Sequence, residues 1–231
     1  MLAAGLSRSQ IVAIALLPPI LLVLAVLYVL AMVLQGRPFL YTSERMRTTD
    51  VAFNLYKIRT MSPVEGAREM ALGGHQRSRV TALGHVLRRT RLDELPQIFN
   101  VLKGDIGFIG PRPPLRRHVA ACPHLYGEIL GAMRPGITGL STVLVHQREE
   151  RLLSRCRSDC ETEAVYIARC LPLKLKLDLL YAKRRTIGLD LMILWRTAQR
   201  LLAWNGPVQR PRAHSAGTAS GSTPGLTPAA P

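Results

Sequence analysis

The stretch that decides how this chain is read is LRRTRLDELPQIFNVLKGDIGFIGPRP, from Leu87 to Pro113. Leu95, Ile98, Phe99 and Leu102 recur at helical spacing, so they form one apolar face of a short helix. Pro96 is tolerated only in a first turn, and Gly104 suits the position just past a helix C-terminus. Together they put Asp93 and Glu94 at the helix N-terminus. Acidic residues there have an ordinary use, which is to cap free N–H groups and complement the helix dipole. The setting is less ordinary: Arg88, Arg89 and Arg91 precede the pair, Lys103 follows it, and Gly110-Pro111-Arg112-Pro113 comes soon after. Two adjacent carboxylates among cations allow a division of labour. One can bind a hard divalent ion through oxygen while the other attacks phosphorus. The ion and the arginines would spread the charge of a transferring phosphoryl group.

Outward from this stretch the chain changes character twice. Just before it, Thr81 to Arg89 reads as a short helix with a basic end. Near the start, Ile11 to Leu34 runs about 24 residues without a charge, enough at helical rise to cross a bilayer. Pro18 and Pro19 lie inside this run and predict a kink or break. Arg8 precedes the run and Arg37, Arg45 and Arg47 follow it; the positive-inside rule puts the strongly basic C-terminal side in the cytoplasm. Hydropathy alone favours a spanning helix, while basic residues on both flanks also suit a broken helix that returns to the same face. A cleaved signal peptide would have a shorter apolar core and a clear small-x-small site. At the far end, Asn205 to Pro231 is rich in Pro, Gly, Ser, Thr and Ala and reads as a disordered tail. Tyr166 to Trp204 mixes apolar stretches with Lys183, Arg184, Arg185, Arg196 and Arg200, a pattern that suits a membrane surface and equally a packed core.

Composition agrees with a basic domain on a membrane attachment. The 231 residues carry Lys+Arg 31 against Asp+Glu 15, a net charge of +16, with 48% hydrophobic residues. So much apolar content excludes disorder throughout, and the spread of charge excludes a polytopic membrane protein. The excess of cations calls for anionic partners: phosphate groups, acidic lipid or nucleic acid. Nucleic acid drops out because no recognition helix, zinc spacing or stacking motif stands out. Cys122, Cys156, Cys160 and Cys170 match no pair of metal knuckles and read as ordinary reduced thiols.

The Leu87–Pro113 string, together with LYKIRTM at Leu55 to Met61 and RPGITGL at Arg134 to Leu140, resembles the bacterial sugar transferases, the monotopic phosphoglycosyl transferases. LDLMILWRT at Leu189 to Thr197 resembles their C-terminal helix, so the likeness covers about residues 11 to 203. It implies a predominantly helical α+β fold in a monotopic membrane protein. Residues 1–36 would form a re-entrant, broken hydrophobic helix, 37–204 a small cytoplasmic catalytic domain, and 205–231 the tail. It implies transfer of a sugar 1-phosphate from a nucleoside diphosphate sugar, a UDP-sugar by preference, to polyprenyl (undecaprenyl) phosphate at the bacterial inner membrane. That is the first membrane step of a polysaccharide or glycoprotein glycan.

The resemblance also implies residue roles. Asp93 matches the nucleophile that forms a covalent phosphosugar enzyme, and Glu94 its partner on Mg²⁺. Pro111, Arg112 and Pro113 match the element at the nucleotide end of the donor, where a guanidinium can fork onto diphosphate oxygens. Lys57 and Arg59 match a basic pair suited to phosphate. Arg88, one turn before the carboxylates, could reach them or the prenyl phosphate, and Arg134 would act similarly. Gly136 and Gly139 read as turn residues. Membrane lipid and other glycan-assembly enzymes are the further expected partners.

Several positions depart from the family pattern: Arg91 and Gly107 where serine is common, Leu140 to His146 in place of aromatic, glutamine, glycine and arginine positions, and a short Met61–Arg79 connector. They bear on donor choice, because the two carboxylates are kept. The length implies a minimal catalytic form. The alternative reading is a catalytically divergent membrane-associated scaffold in a glycan assembly complex, which the Leu140–His146 stretch motivates and the intact Asp93–Glu94 pair opposes.

Overall fold

The computed structural model describes residues 6–63 and 79–202. The tail at 205–231 and most of the connector between Met61 and Arg79 lie outside the described residues.

The uncharged run forms one helix, α1 (Arg8–Gln35), about 42 Å long at the usual rise. Ser7 opens it with a reciprocal cap: its hydroxyl accepts from the Gln10 amide, and the Gln10 side chain accepts from the Ser7 amide. The break allowed for at Pro18–Pro19 does not occur: the helix is continuous through both prolines. Each proline removes one N–H, which leaves the carbonyls of Ile14 and Ala15 without their helical donors. Proline's fixed φ is itself helical, however, so the flanking turns carry the helix across.

Only one seam of α1 meets the domain. Ala13, Leu24, Leu27 and Ala31 are buried, and Leu17 and Ile20 pack beside them. These positions step by four and three residues, the spacing that keeps one stripe of a helix facing a partner. The opposite face stays bare, with Leu22, Val26, Val29 and Val33 each more than 60% exposed. Both ends of α1 are tied to the same domain. Gln10 Nε2 donates to the Leu102 carbonyl at 2.9 Å. At the other end, Arg59 Nη2 donates to the Gln35 and Gly36 carbonyls at 2.8 Å each, and Thr81 Oγ1 donates to Gln35 Oε1 at 2.7 Å.

An antiparallel hairpin follows, β1 (Leu40–Met46) and β2 (Ala52–Ile58), with Tyr41 opposite Lys57. Then come α2 (Ala82–Thr90), a 3₁₀ turn at Leu92–Glu94, α3 (Gln97–Lys103) and β3 (Gly107–Ile109). The remainder is α4 (Arg116–Ala121), α5 (Pro123–Ala132), β4 (Gly136–Thr138), α6 (Leu140–Leu153), α7 (Asp159–Val165), a π turn over Tyr166–Cys170, α8 (Leu171–Lys183) and α9 (Ile187–Leu202). The expected predominantly helical α+β character is what the described residues show. The helix expected from Thr81 is α2, and Thr81 caps it by accepting from the Gly84 amide at 2.9 Å.

Two apolar clusters hold α1 onto the domain, the first through α3 and the second through β2 and α2. One contains Ala13, Leu55, Ile98, Val101 and Ile106; the other Leu24, Leu27, Ile58 and Leu87. Asn100, fully buried, pins α3 to β2. Its Oδ1 accepts from the Tyr56 amide at 3.1 Å, and its Nδ2 donates to the Asn54 carbonyl at 2.8 Å. Behind this layer, Met46, Tyr126, Ile129, Tyr166 and Leu175 build a separate core, and Leu140, Val143, Tyr181 and Ile193 join α6, α8 and α9. The four cysteines are free thiols.

Gly136 and Gly139 are not turn residues. β3 and β4 pair in parallel, Gly107 opposite Gly136 and Ile109 opposite Thr138. A Cβ on Gly136 would lie 2.2 Å from the Gly110 nitrogen, and one on Gly139 would lie 2.1 Å from the Gly110 carbonyl oxygen. Glycine is needed at both because another backbone passes through the space a side chain would fill. This close approach locks the Gly110–Pro113 and Arg134–Leu140 segments together.

Candidate active site

Asp93 and Glu94 sit on the 3₁₀ turn between α2 and α3, and α3 takes no side-chain cap from them. The capping role available from sequence is therefore not the one they fill. Arg91, just before the turn, adopts a left-handed conformation (φ 58°) that reverses the chain as it leaves α2. A non-glycine residue there carries strain of roughly 1–2 kcal/mol. The reversal tucks both carboxylates inward, 8% and 7% exposed.

Glu94 is ringed by cations. Its Oε1 accepts from Arg112 Nη2 at 3.0 Å and lies 3.9 Å from Lys57 Nζ, while its Oε2 accepts from Arg91 Nη1 at 3.0 Å. Burial alone would raise its pKa, but Arg112, Lys57 and Arg91 outweigh burial and hold it at about 2. Asp93 goes the other way. Burial pushes its pKa up, the Glu94 charge adds to that, and Lys57, Arg88 and Arg112 only partly offset the rise. Asp93 Oδ1 is buried without a hydrogen-bond partner. Lys57 is lowered to about 8, by burial first and then by Arg112, against the pull of Glu94. Adjacent carboxylates with opposed pKa shifts are how two chemically similar groups take different tasks.

The structure gathers some of the residues singled out from sequence and disperses others. Lys57 and Arg112 reach Glu94. Pro111 and Pro113 are buried on either side of Arg112, and the Pro111 carbonyl accepts from the Gly136 amide at 2.9 Å, which holds the backbone beside Arg112. Arg88 faces the site from α2: its charge acts on Asp93 while its Nε donates to Thr60 Oγ1 at 2.8 Å. Arg59 is elsewhere. Its guanidinium donates to the carbonyls of Pro38, Met61, Gln35 and Gly36, the last two at the C-terminal end of α1, where a cation also complements the helix dipole. Arg134 stands beside Gly104, at the opposite end of α3 from the carboxylates.

Sequence reasoning missed two features. Arg91 was only one of three arginines before the pair, and nothing short of its left-handed backbone singles it out. The second lies behind Arg112, whose charge interacts with Glu149; Glu149 accepts from the buried Lys174 at 3.0 Å. These three residues are too far apart in sequence to be read as a group.

Among the described residues no three His, Cys, Asp or Glu side chains assemble into a metal cage. Two carboxylates nevertheless fit Mg²⁺, which keeps several waters and takes further oxygens from substrate phosphates. The unpartnered Asp93 Oδ1 and the anionic Glu94 are the donors present. A cavity of about 170 Å³ beside them is lined by Arg91 and Glu94, by Ile20 of α1 and Thr197 of α9, and by Ile98, Phe108 and Ile137.

The sequence pattern of the family "Bacterial sugar transferase" matches residues 7–204. UDP-N-acetylgalactosamine-undecaprenyl-phosphate N-acetylgalactosaminephosphotransferase of Aeromonas hydrophila is 33% identical over 206 residues, covering 86% of this chain and 43% of that protein. UDP-glucose:undecaprenyl-phosphate glucose-1-phosphate transferase of Caulobacter vibrioides is 32% identical over 198 residues, 84% of this chain and 68% of that protein. Undecaprenyl-phosphate galactose phosphotransferase of Salmonella typhimurium is 30% identical over 187 residues, 74% of this chain and 35% of that protein. The chain thus spans less than half the length of the Aeromonas and Salmonella relatives.

Proposed function

The chain belongs to the bacterial sugar transferase family, and from that premise we propose that it transfers a sugar 1-phosphate from a UDP-sugar to undecaprenyl phosphate. The observation that carries this reading is the buried Asp93–Glu94 pair ringed by Lys57, Arg91 and Arg112. A site holding more cations than carboxylates suits substrates that bring phosphate charge of their own.

Asp93 is the nucleophile. Its carboxylate oxygen attacks the phosphorus that bears the sugar, the bond from that phosphorus to the bridging oxygen breaks, and nucleoside monophosphate leaves with that oxygen. A phosphate oxygen of the acceptor then attacks the same phosphorus, freeing Asp93 and forming a prenyl diphosphate sugar. A raised pKa makes the ionised Asp93 a better nucleophile, at the expense of ionised fraction in acid. Glu94, anionic at any working pH, holds Arg112 and Lys57 in place for the phosphates. Mg²⁺ held by Glu94 and Asp93 Oδ1 would supply charge stabilisation for the transferring phosphoryl group.

The tethers at both ends of α1 support a monotopic arrangement in which the helix, bending at Pro18–Pro19, dips into the inner membrane while both ends stay on the cytoplasmic face. The bare apolar faces of α1 and α9, the latter through Ile187, Leu191 and Trp195, provide the lipid contact.

The test is release of labelled nucleoside monophosphate by purified protein given undecaprenyl phosphate and a panel of nucleotide sugars. Asp93→Asn is expected to lower turnover by at least ~10³-fold. Undiminished turnover by Asp93→Asn would refute the covalent route. Absence of turnover with every donor, alongside stable binding to other glycan enzymes, would favour the scaffold reading.

A further inference from the structure

Glu94 divides the site into two halves. On its Oε1 side stand Arg112 and Lys57; on its Oε2 side stands Arg91 alone. The 170 Å³ cavity is lined by Glu94 and Arg91, and by neither Arg112 nor Lys57; its walls are Ile20 of α1, Ile98 of α3, and Phe108 and Ile137 of the β3–β4 pair. Beyond them, Thr138 and Thr197 share a hydroxyl hydrogen bond at 2.9 Å, so the α9 side of the cavity carries polar groups that are already satisfied.

The cations on this side are crowded. Burial lowers the pKa of Arg200 on α9, and the positive charges of Arg91 and Arg196 lower it further. Arg91 also acts on the His146 imidazole. A mostly apolar cavity lined by Ile20 of the long apolar helix, with the single guanidinium of Arg91 in its wall, is complementary to an anionic amphiphile and to neither a sugar nor a free nucleotide. Its volume is below the ~300 Å³ of an ordinary small-molecule pocket, so it takes only the first part of a long chain.

We infer that Arg91 holds the phosphate of the isoprenoid acceptor, with the beginning of the chain lying in this cavity against Ile20 and Ile137. The inference rests on the transferase reading and adds to it which half of the site each substrate uses. Arg112 and Lys57 serve the donor, Arg91 serves the acceptor, and Glu94 separates them. The left-handed backbone at Arg91 belongs to the same picture: a strained conformation retained by an arginine, where glycine would relax it, marks a side chain kept for its chemistry.

Three variants test this, assayed in nanodiscs with undecaprenyl phosphate as acceptor and the nucleotide sugar that supports turnover. Arg91→Gly removes the guanidinium at a φ that glycine prefers, so relief of backbone strain partly offsets the lost Glu94 ion pair and the variant is expected to stay folded, as its melting curve would show. Its acceptor KM is expected to rise about tenfold or more, with a much smaller change in donor KM and in acceptor-free exchange of labelled UMP into the donor. Arg91→Lys should recover part of the acceptor KM. Ile137→Trp, which fills the cavity, should also raise acceptor KM more than it slows exchange. An Arg91→Gly protein whose acceptor KM is unchanged, or whose donor KM and exchange rate suffer as much as its acceptor KM, would overturn the assignment. If the unaltered protein shows no exchange with any donor, the transferase reading itself fails. Equilibrium binding of undecaprenyl phosphate then judges Arg91: weaker binding by Arg91→Gly supports the site, and equal binding refutes it.

Discussion

Asp93 and Glu94 are chain neighbours with opposite protonation tendencies: burial raises both, and only at Glu94 do the neighbouring cations outweigh it. Glu94 has three within reach, whereas Asp93 is buried beside another negative charge. The pH dependence follows with a definite sign. Glu94, depressed to about 2, contributes stability above the ordinary carboxylate range that is lost only as pH falls toward that value. Asp93, raised, is more costly to ionise in the folded state, so its contribution to stability falls as pH rises through its folded pKa. The acid limb of turnover should therefore lie above the ~3.9 of an ordinary aspartate. Glu94→Gln removes the neighbouring charge and leaves Arg112 and Lys57 facing Asp93, so the Asp93 titration should move to lower pH. Carbon NMR of labelled aspartate would read it; an unmoved titration would contradict the coupling. At this scale the sequence was most informative for contiguous groups. The carboxylates and Arg112 share one string, and Lys57 came through the family likeness. Arg91 escaped because its importance lies in a backbone reversal that no spacing rule announces.

At the scale of elements, Arg59 separates a helix role from a phosphate role. Its strand neighbour Lys57 reaches Glu94, while Arg59 spends its donors on four carbonyls at the junction of α1 with the domain. Arg59→Met is expected to cost about 3 kcal/mol, because buried carbonyls lose a charged donor. It should lower the melting temperature in detergent while donor KM shifts less than tenfold. A raised donor KM with unchanged melting would return Arg59 to phosphate binding. The elements themselves were legible where local signals agree: Thr81 capping α2, Gly104 ending α3, the apolar face with Ile98 at its centre. They were not legible where tertiary contacts override local rules. Pro18–Pro19 did not break α1, and Gly136 and Gly139 are small because the Gly110 backbone passes beside them. Asn100, polar within an apolar periodicity, is the most deeply buried residue of α3 together with Val101, because β2 needs its amide.

For the whole molecule, the +16 charge and the membrane helix belong to one arrangement. The seam of α1 runs from Ala13 to Ala31, and hydrogen bonds close both its ends onto the domain, at Leu102 and at Arg59 and Thr81. A helix spanning the bilayer would need its N-terminal end on the far side, yet Gln10 is bonded to the same α3 whose other end leads back to the carboxylates. Breaking the Gln10–Leu102 bond, uncovering Ala13 and Leu17, and pulling the basic Arg8 across the membrane would all be needed to make it span. Labelling decides between the two. In a protein with its native cysteines replaced, single cysteines at positions 3 and 37 are expected to react with an impermeant maleimide in inside-out vesicles and not in intact spheroplasts. A cysteine restored at 160, exposed on the domain, provides the reference for the domain's side of the membrane. Reaction at position 3 in spheroplasts with protection at 37 and 160 would establish a spanning helix and would require the Gln10 tether to open in the membrane.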